Sequence, residues 1–460
     1  MEQTYKKLHM DAITQSPDDA TKYGLSIRFR PPFVITDLSF SSLSNTTILA
    51  EGCNVLKNEN IAEDTLDLFL KDWDTHEMSK IFHLNIAKAS MVSYIDIPEN
   101  YTSEKEILIT PDTSENSSEV FLIHAKKNSE VTVIVNKEGS QKYAADTIRV
   151  LAEDNAKVTV VMMQFMGKET SNVQHHSAKV LKDATVNWYQ MHAGSEYTKN
   201  ICYNNLSGVG ATGNITLLYV TNGNQQFDSY TGSIHNERET MSDIVTKGAI
   251  GDTSKALSRS LVQINENAWN SNGYEQQDAI LLSEKAEADA IPNLVIHNHD
   301  VKCSHGSTIG QVDEEALFYL MSRGYSKDAA KKKLIEGFFV PVLENFGSEK
   351  IVELAQNKIQ QILNPTLDEN VVVEVLKTIE DPEMFIDIHT LGLIYNIDIQ
   401  GSTVGILMTL TTPACPFGPM IIEQVKQKLK EKGFSEVEVT ITFDPIWEPS
   451  DEVRMHLGLL

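Results

Sequence analysis

The sequence is poor in cysteine, in positive charge and in long apolar runs. Its 460 residues contain four cysteines, Cys53, Cys202, Cys303 and Cys415. They form no C-x-x-C pair, which excludes a disulfide framework and fits a reducing compartment. No window approaches about 18 uninterrupted apolar residues, so no membrane-spanning helix is expected. The first residues lack the apolar stretch and small-residue cleavage site of a secretory leader, and a cytoplasmic location is expected. Thirty-nine Lys and Arg face 64 Asp and Glu, a formal net charge of −25. Such a balance repels phosphate backbones and anionic lipid, so neither nucleic acid nor a membrane is expected as partner. There is no G-x-x-x-x-G-K-S/T loop to cradle nucleotide phosphates, and no H-E-x-x-H or G-x-S-x-G. The chain is therefore not expected to hydrolyse ATP or to be a common metalloprotease or serine hydrolase.

What is present is a chain able to fold. Hydrophobic residues make up 41%, charged residues 22%, with 24 Gly and 14 Pro, a composition neither low in complexity nor too polar to collapse. At roughly 150 residues per domain, two or three domains are expected. Residues 1 to about 80 are mixed, with the helix-like Ala62–Trp73 near their end. From about residue 105, β-branched runs separated by polar turns read as strands: VFLIHA at 120, VTVIVN at 131, TIRVLA at 147 and VTVVMM at 158. The runs repeat. Asn128-Ser129-Glu130-Val131-Thr132-Val133 returns as Asn155-Ala156-Lys157-Val158-Thr159-Val160, and more weakly as Lys182-Asp183-Ala184-Thr185-Val186, each 27 residues on. A fixed period carrying two strands and no helix is what the stacked coils of a parallel β-helix require. A β-sandwich also spaces its strands evenly, but it has no reason to repeat one polar-to-VTV transition at the same phase.

After Asn298 the pattern turns helical. Asp313-Glu314-Glu315 opens an apolar-periodic run that stops at Gly324, Ser326 caps a second run towards Pro341, and a third amphipathic segment covers 348–363. A boundary is expected at Asn364-Pro365. The remainder reads as helix 368–380, strands 393–399 and 403–411, helix 419–433 and strand 436–443, a small α/β domain. From residue 366 onward it holds 6 basic and 16 acidic residues.

Two clusters carry chemistry. His297-Asn298-His299-Asp300-Val301-Lys302-Cys303-Ser304-His305-Gly306 places three imidazoles and a thiol close together. In a strand, Cys303 and His305 share a face, as do His297 and His299. Such a face could hold iron or pass a persulfide. For His297 and His299 the preferred reading is satisfied polar residues at the end of the strand layer. The second cluster is Thr411-Thr412-Pro413-Ala414-Cys415-Pro416-Phe417-Gly418, where a helix start would favour the Cys415 thiolate; the alternative is a small buried cysteine in a stiff turn. Asp444 and Trp447 could line the same rim.

Asp300 to Gly310, with Phe318-Tyr319-Leu320-Met321-Ser322-Arg323-Gly324 and the helix bearing Gly337-Phe338, closely resembles the carboxyl-terminal signature of the SufB/SufD family, scaffold subunits of the SUF iron-sulfur cluster assembly machine. The SufD branch is the nearer, because SufB carries a histidine-glutamate-alanine pattern where this chain has Cys303-Ser304-His305-Gly306. The resemblance implies a right-handed parallel β-helix core with flanking helices. It further implies that Cys303 and His305 lie at an interface with a SufB-like subunit, where a transient iron-sulfur cluster forms and metal would be held. Phe318, Tyr319, Arg323, Gly324, Gly337 and Phe338 would belong to the region docking a SufC-like ATPase. Whether flavin or iron binds is left open by the residues, and recipient apoproteins are possible further partners. By the same resemblance, the family's longer amino-terminal helical region is expected to be abbreviated here.

Residues 366–460 resemble a second group, the SufT or PaaD-like small domains of iron-sulfur protein maturation, through Asp381-Pro382-Glu383, Leu391-Gly392-Leu393-Ile394-Tyr395, Cys415-Pro416 and Asp444-Pro445 with Trp447. The implied maturation site comprises Asp381, Glu383, Cys415, Asp444 and Trp447. The expected organisation is a mixed region at 1–80, a β-helix at 81–305, a helical docking region at 306–364 and an α/β domain at 365–460. The expected function is a non-catalytic assembly scaffold. The alternatives are a purely structural SufD-like subunit with inert cysteines, or a β-helix carbohydrate-active enzyme using Asp228, Asp243 and Asp252.

Overall fold

The computed structural model describes residues 44–70, 80–103, 105–343, parts of 352–359, 369–400, 403–413, 415–432, 436–449, Phe434 and Arg454. Most of the expected helix at 348–363 and the boundary at Asn364-Pro365 lie outside the described residues, as do residues 1–43 of the amino-terminal region and 71–73 of the expected helix Ala62–Trp73. The chain divides into two compact units, Met1–Ile359 and Gln360–Leu460.

In the first unit the chain alternates between two nine-stranded sheets. One carries Ile107–Thr110, Glu130–Gly139, Lys157–Met166, Thr185–Gly194, Thr212–Thr221, Met241–Ile250, Ser271–Leu281 and Val301–Gln311. The other carries Met91–Ile97, Ser117–Ala125, Tyr143–Ala152, Ser171–Val180, Tyr197–Leu206, Gln226–His235, Lys255–Ile264 and Glu287–Ile296. Each of these strands pairs in parallel with the strand one coil away. This is a parallel β-solenoid, as the repeat implies.

The register explains the repeated asparagine and corrects one alignment. Asn128, Asn155, Asp183, Gly210, Glu239 and Asn270 all have φ between 51° and 75°, and each turns the chain into a strand of the first sheet. Asn and Asp tolerate this left-handed conformation better than other side-chain-bearing residues. The Asn155 N–H donates to the Lys182 carbonyl, and the Asp183 N–H to that of Val209. Lys157 pairs with Glu130 but Thr185 pairs with Lys157, so the third coil is one residue longer than a strict 27-residue repeat. Asp183, not Lys182, is the counterpart of Asn155.

Inside the coils Val131, Val133 and Val135 stack on Val158, Val160 and Met162 and then on Val186 and Trp188, all buried. Branched side chains suit this stacking, and burying each contributes about 1.5–3 kcal/mol. A polar seam interrupts the apolar filling. Lys137 pairs with Asp146 and donates to Asn172 at 2.8 Å. Gln190 donates to His176 Nδ1 at 2.8 Å, which leaves His176 Nε2–H to donate to Asp146 at 2.6 Å. Asn200 donates to Gln190 at 2.8 Å, and the His176 ring stacks on Trp188 with centroids 5.7 Å apart.

The two ends of the solenoid differ. At the first, Thr47–Leu49 and Asn54–Lys57 add antiparallel to Ile107–Thr110 and Met91–Ile97. Helices Glu63–Leu70 and Lys80–Ala87 supply Phe69, Phe82 and Ile86, which pack with Val92, Val120 and Leu122. The segment expected to begin the β-helix at residue 81 is thus helical to Ala87. At the far end the last strand continues to Gln311, past the expected boundary at 305, and Val301–Gln311 and Glu287–Ile296 are terminal strands. No described strand pairs with their outer edges.

Helix Glu314–Ser322 follows, capped by Asp313 Oδ1, which accepts from the Glu315 and Ala316 N–H groups. Gly324 at φ 96° ends that segment, and helix Lys327–Leu343 continues through Pro341. The second unit contains helices Glu369–Leu376 and Gly418–Glu431 and a three-stranded sheet. In that sheet Ile394–Gln400 lies antiparallel, and Glu436–Ile441 parallel, to Thr403–Met408. These elements match the expected ones to within a few residues. Among the described residues no helix is long and apolar enough to cross a membrane, which says nothing of a β-barrel.

Candidate functional site

The last two coils bring the first chemistry-bearing cluster together. Parallel register sets Gly273 beside Cys303, Glu275 beside His305 and Gln277 beside Ser307. Cys303 and His305 share the face that Val301 turns towards the solenoid core, and Cys303 packs against that core while half-buried. His305 is 47% exposed in its side chain, and its Nδ1 lies 3.6 Å from Glu275 Oε1. Glu275 is fully buried. Burial pushes its carboxyl above the usual range, although Ser260, His305 and the Asn293 backbone oppose the rise. Burial, with the Glu275 charge adding to it, pushes the Cys303 thiol up to about 11. Unaided, Cys303 is therefore a thiol and not a thiolate at neutral pH.

Gly273 has no room for a side chain. A Cβ at that position would meet Val262 Cγ1 at 2.5 Å, with Cys303 Sγ and His235 Nε2 each at 3.5 Å. His235 has both ring nitrogens occupied, Nδ1 at 2.8 Å from the Thr240 hydroxyl and Nε2 at 2.8 Å from that of Ser242. Burial pushes its pKa down to about 4, so it is a neutral packing residue at pH 7. Sequence reading found Cys303 and His305 but missed Gly273, Glu275 and His235. The signal for Glu275 lay in the coil length, since it precedes His305 by 30 residues, one coil at this end.

Other expected residues are dispersed. His297 and His299 are exposed in the turn between the last two strands. Asp228 is locked between Lys199, at 2.8 Å, and Arg259 on the second sheet. Asp243 lies on the first sheet, and Asp252 accepts from the Gly223 N–H. They build no paired-carboxylate site. Among the described residues no three His, Cys, Asp or Glu side chains converge in a way that could hold a metal, so Cys303 and His305 form at most part of a ligand set.

On the helices, Phe318 is 72% and Tyr319 57% exposed. Arg323 donates to the Tyr319 hydroxyl at 3.0 Å and lies 5.1 Å from its ring centroid. Gly324 and Gly337 are exposed. Phe338 is half-buried; its ring lies 4.4 Å from Lys247 Nζ, which also donates to its carbonyl at 3.1 Å. Phe338 thus anchors the helix to the solenoid.

In the second unit Cys415 is buried in the apolar core, two residues before the Phe417 N-cap position. The small buried reading of that cysteine fits this placement. Asp381 is 1% exposed, and its Oδ1 accepts from the Glu383 and Met384 N–H groups, closing its own turn. Glu383 and Asp444 are exposed. The Trp447 indole N–H donates to the Leu391 carbonyl at 2.8 Å, and the Tyr395 hydroxyl to that of Pro445 at 3.0 Å, fastening the 442–449 loop.

Residues 108–338 match the family described as SUF system FeS cluster assembly, SufBD core domain, and residues 369–441 match one described as iron-sulfur cluster assembly protein. The chain is similar to the iron-sulfur cluster assembly protein SufD of Bacillus subtilis, 27% identical over 306 residues, covering 64% of this chain and 70% of that protein. It is similar also to that of Escherichia coli, 25% identical over 300 residues, covering 63% and 71%. Two solved structures resemble the last fifth of the chain: a domain of unknown function from Bacillus anthracis, 31% identical over 20% of this chain and 92% of that one, and a conserved hypothetical protein from Thermotoga maritima, 39% identical over 20% and 96%. Each has a TM-score of 0.19. Because the core match spans half of its length, this chain belongs to the SufBD family of iron-sulfur cluster assembly proteins, with an iron-sulfur assembly domain following the core on the same polypeptide.

Proposed function

We propose that the chain is a SufD-like, non-catalytic scaffold subunit that pairs with a SufB-like subunit and a SufC-like ATPase. In this reading it contributes Cys303 and His305 to the interface where a cluster is built. The observation that carries it is the open end of the solenoid. The terminal strand Val301–Gln311, which carries both residues, has no partner on its outer edge among the described strands. Edge strands are templates for pairing with another chain, and an incomplete ligand set beside such an edge suits completion by a partner. The exposed Phe318, Tyr319 and Arg323 would serve the ATPase, and the second unit would act in maturation or transfer, tethered so that its effective concentration is high. The nascent cluster is cargo, held transiently.

A second reading, a structural subunit with inert cysteines, is favoured by the half-burial of Cys303 against the solenoid core, which raises its thiol above the ordinary range. Co-expression with SufB-like and SufC-like partners, followed by purification and visible absorption, separates the two. The scaffold reading expects a stable complex whose cluster absorption falls in His305→Ala without loss of assembly. A complex with full cluster content when Cys303 and His305 are both replaced by Ala would leave only the structural role.

A further inference from the structure

We propose that Glu275 is a positioning residue for His305: its buried carboxylate fixes the imidazole with Nδ1–H turned inward and Nε2 turned out from the terminal strand. This rests on the reading above, in which that strand is where the cluster is built.

The argument begins with the column in which Glu275 stands. Reading inward-facing partners from coil to coil gives Val133, Val160, Trp188, Ile215, Ile244, Glu275 and His305. Five apolar residues fill the first rungs, and the two polar ones occupy the last. Glu275 has no accessible surface, and neither of its carboxylate oxygens completes a hydrogen bond. A buried carboxylate that only Ser260, His305 and the Asn293 backbone offset is unfavourable in the core, whereas a branched aliphatic would continue the stacking at a gain. A carboxylate in this place is therefore a departure from what packing favours, and the ionisable side chain beside it is His305.

The geometry gives the direction of the effect. His305 Nδ1 is the ring nitrogen nearest the carboxylate, at 3.6 Å, slightly beyond hydrogen-bond length. Contacts of this kind tighten when a complex closes over them. A carboxylate beside Nδ1 favours the tautomer with its proton there, which leaves the Nε2 lone pair free on the opposite side of the ring. A free Nε2 backed by a carboxylate on Nδ1 is the arrangement that raises the basicity of an imidazole towards a divalent cation such as ferrous iron. His235 provides the contrast: both of its nitrogens are taken by hydroxyls and it is buried. Among the described residues, Glu275 is the acidic group in contact with His305.

The test uses the full chain carrying 15N-labelled histidine. Long-range 15N–1H correlations report the tautomer, and the His305 signals are assigned by their loss in His305→Ala. The wild type is expected to show a protonated Nδ1 and a bare Nε2. Glu275→Gln, which keeps the size, and Glu275→Leu, which continues the apolar column and should fold at least as well, are expected to shift His305 towards the Nε2–H form. In the complex with SufB-like and SufC-like partners, Glu275→Gln should lower cluster yield about tenfold, and the double variant with His305→Ala should be no worse than His305→Ala alone. An Nε2–H tautomer in the wild type, or one unchanged in both Glu275 variants, overturns the proposal. Full cluster yield from His305→Ala would instead overturn the functional reading while the tautomer result stood.

Discussion

Asn155 donates its side-chain amide to the side-chain oxygen of Asn128, one coil earlier, at 3.1 Å, and Asn128 donates in turn to Asn100 at 2.9 Å. All three have left-handed backbones. Asn155→Ala should lose both the ladder bond and the residue type that tolerates this conformation, about 1–3 kcal/mol together. Asn155→Gly should lose less, because it accepts φ 59° without strain. Denaturant midpoints for the solenoid transition would check the order, and an equal loss in both variants would mean that the conformation contributes nothing.

The interior ion pair gives a sharper test. Burial opposes the charge on Asp146, but Lys137 and the His176 hydrogen bond outweigh it and hold the carboxyl below its ordinary range. Asp146→Asn leaves Lys137 buried without its counter-ion and should cost about 3–5 kcal/mol. Replacing the pair with Lys137→Met and Asp146→Leu together should cost less than the single change. A double variant as unstable as the sum of the two singles would show that the pair is uncoupled.

Acid sensitivity follows from two neutral histidines. Burial pushes His192 down to about 3, with the nearby His176 reinforcing it, and pushes His235 down to about 4. Each folded-state value lies below the unfolded value near 6.5. The unfolded chain therefore binds more protons, and stability falls as pH drops from about 6.5 towards these values, by up to about 1.4 kcal/mol per unit for each group. Asp146 and Asp228, whose carboxyls are depressed, hold their contribution above about pH 4 and lose it below. His192→Gln should flatten the upper part of this profile in thermal melts between pH 7 and 5. An unchanged slope would place the titrating groups elsewhere.

Lys247 ties helix Lys327–Leu343 to the solenoid through the Phe338 ring and carbonyl. Lys247→Ala should raise amide exchange along that helix and weaken binding of a SufC-like ATPase by about fivefold, the equivalent of about 1 kcal/mol. The solenoid's own unfolding midpoint should barely move. Phe338→Asp, by contrast, should destabilise the helix itself, because this side chain is half-buried against its neighbour Phe339.

The solenoid was legible in the sequence because a coil repeats its turn chemistry: Asn128 and Asn155 mark the same left-handed corner, and the VTV runs after them face the same core. The third marker slipped by one residue because Lys182 and Asp183 are adjacent polar residues and only the hydrogen-bond register separates them. The α/β unit was legible through ordinary periodicity. Cys303 and His305 could be found because they are two apart in one strand, whereas Glu275 reaches His305 only across a coil of 30 residues, where the period has drifted from 27. The seam around Asp146 was hidden for a related reason, since Lys137, Asp146, His176 and Gln190 come from four strands and none carries a local motif.

The first end of the solenoid is closed by antiparallel strands and helices, and among the described residues no strand closes the last. A coil stack open at both ends could add copies head to tail without limit, as filaments do. With one end sealed, end-on assembly closes after a single addition, whether the neighbour is a second copy or a related chain. The asymmetry therefore makes end-on stoichiometry a property of the chain itself, and a variant stripped of its first strands would be expected to lengthen into polydisperse oligomers.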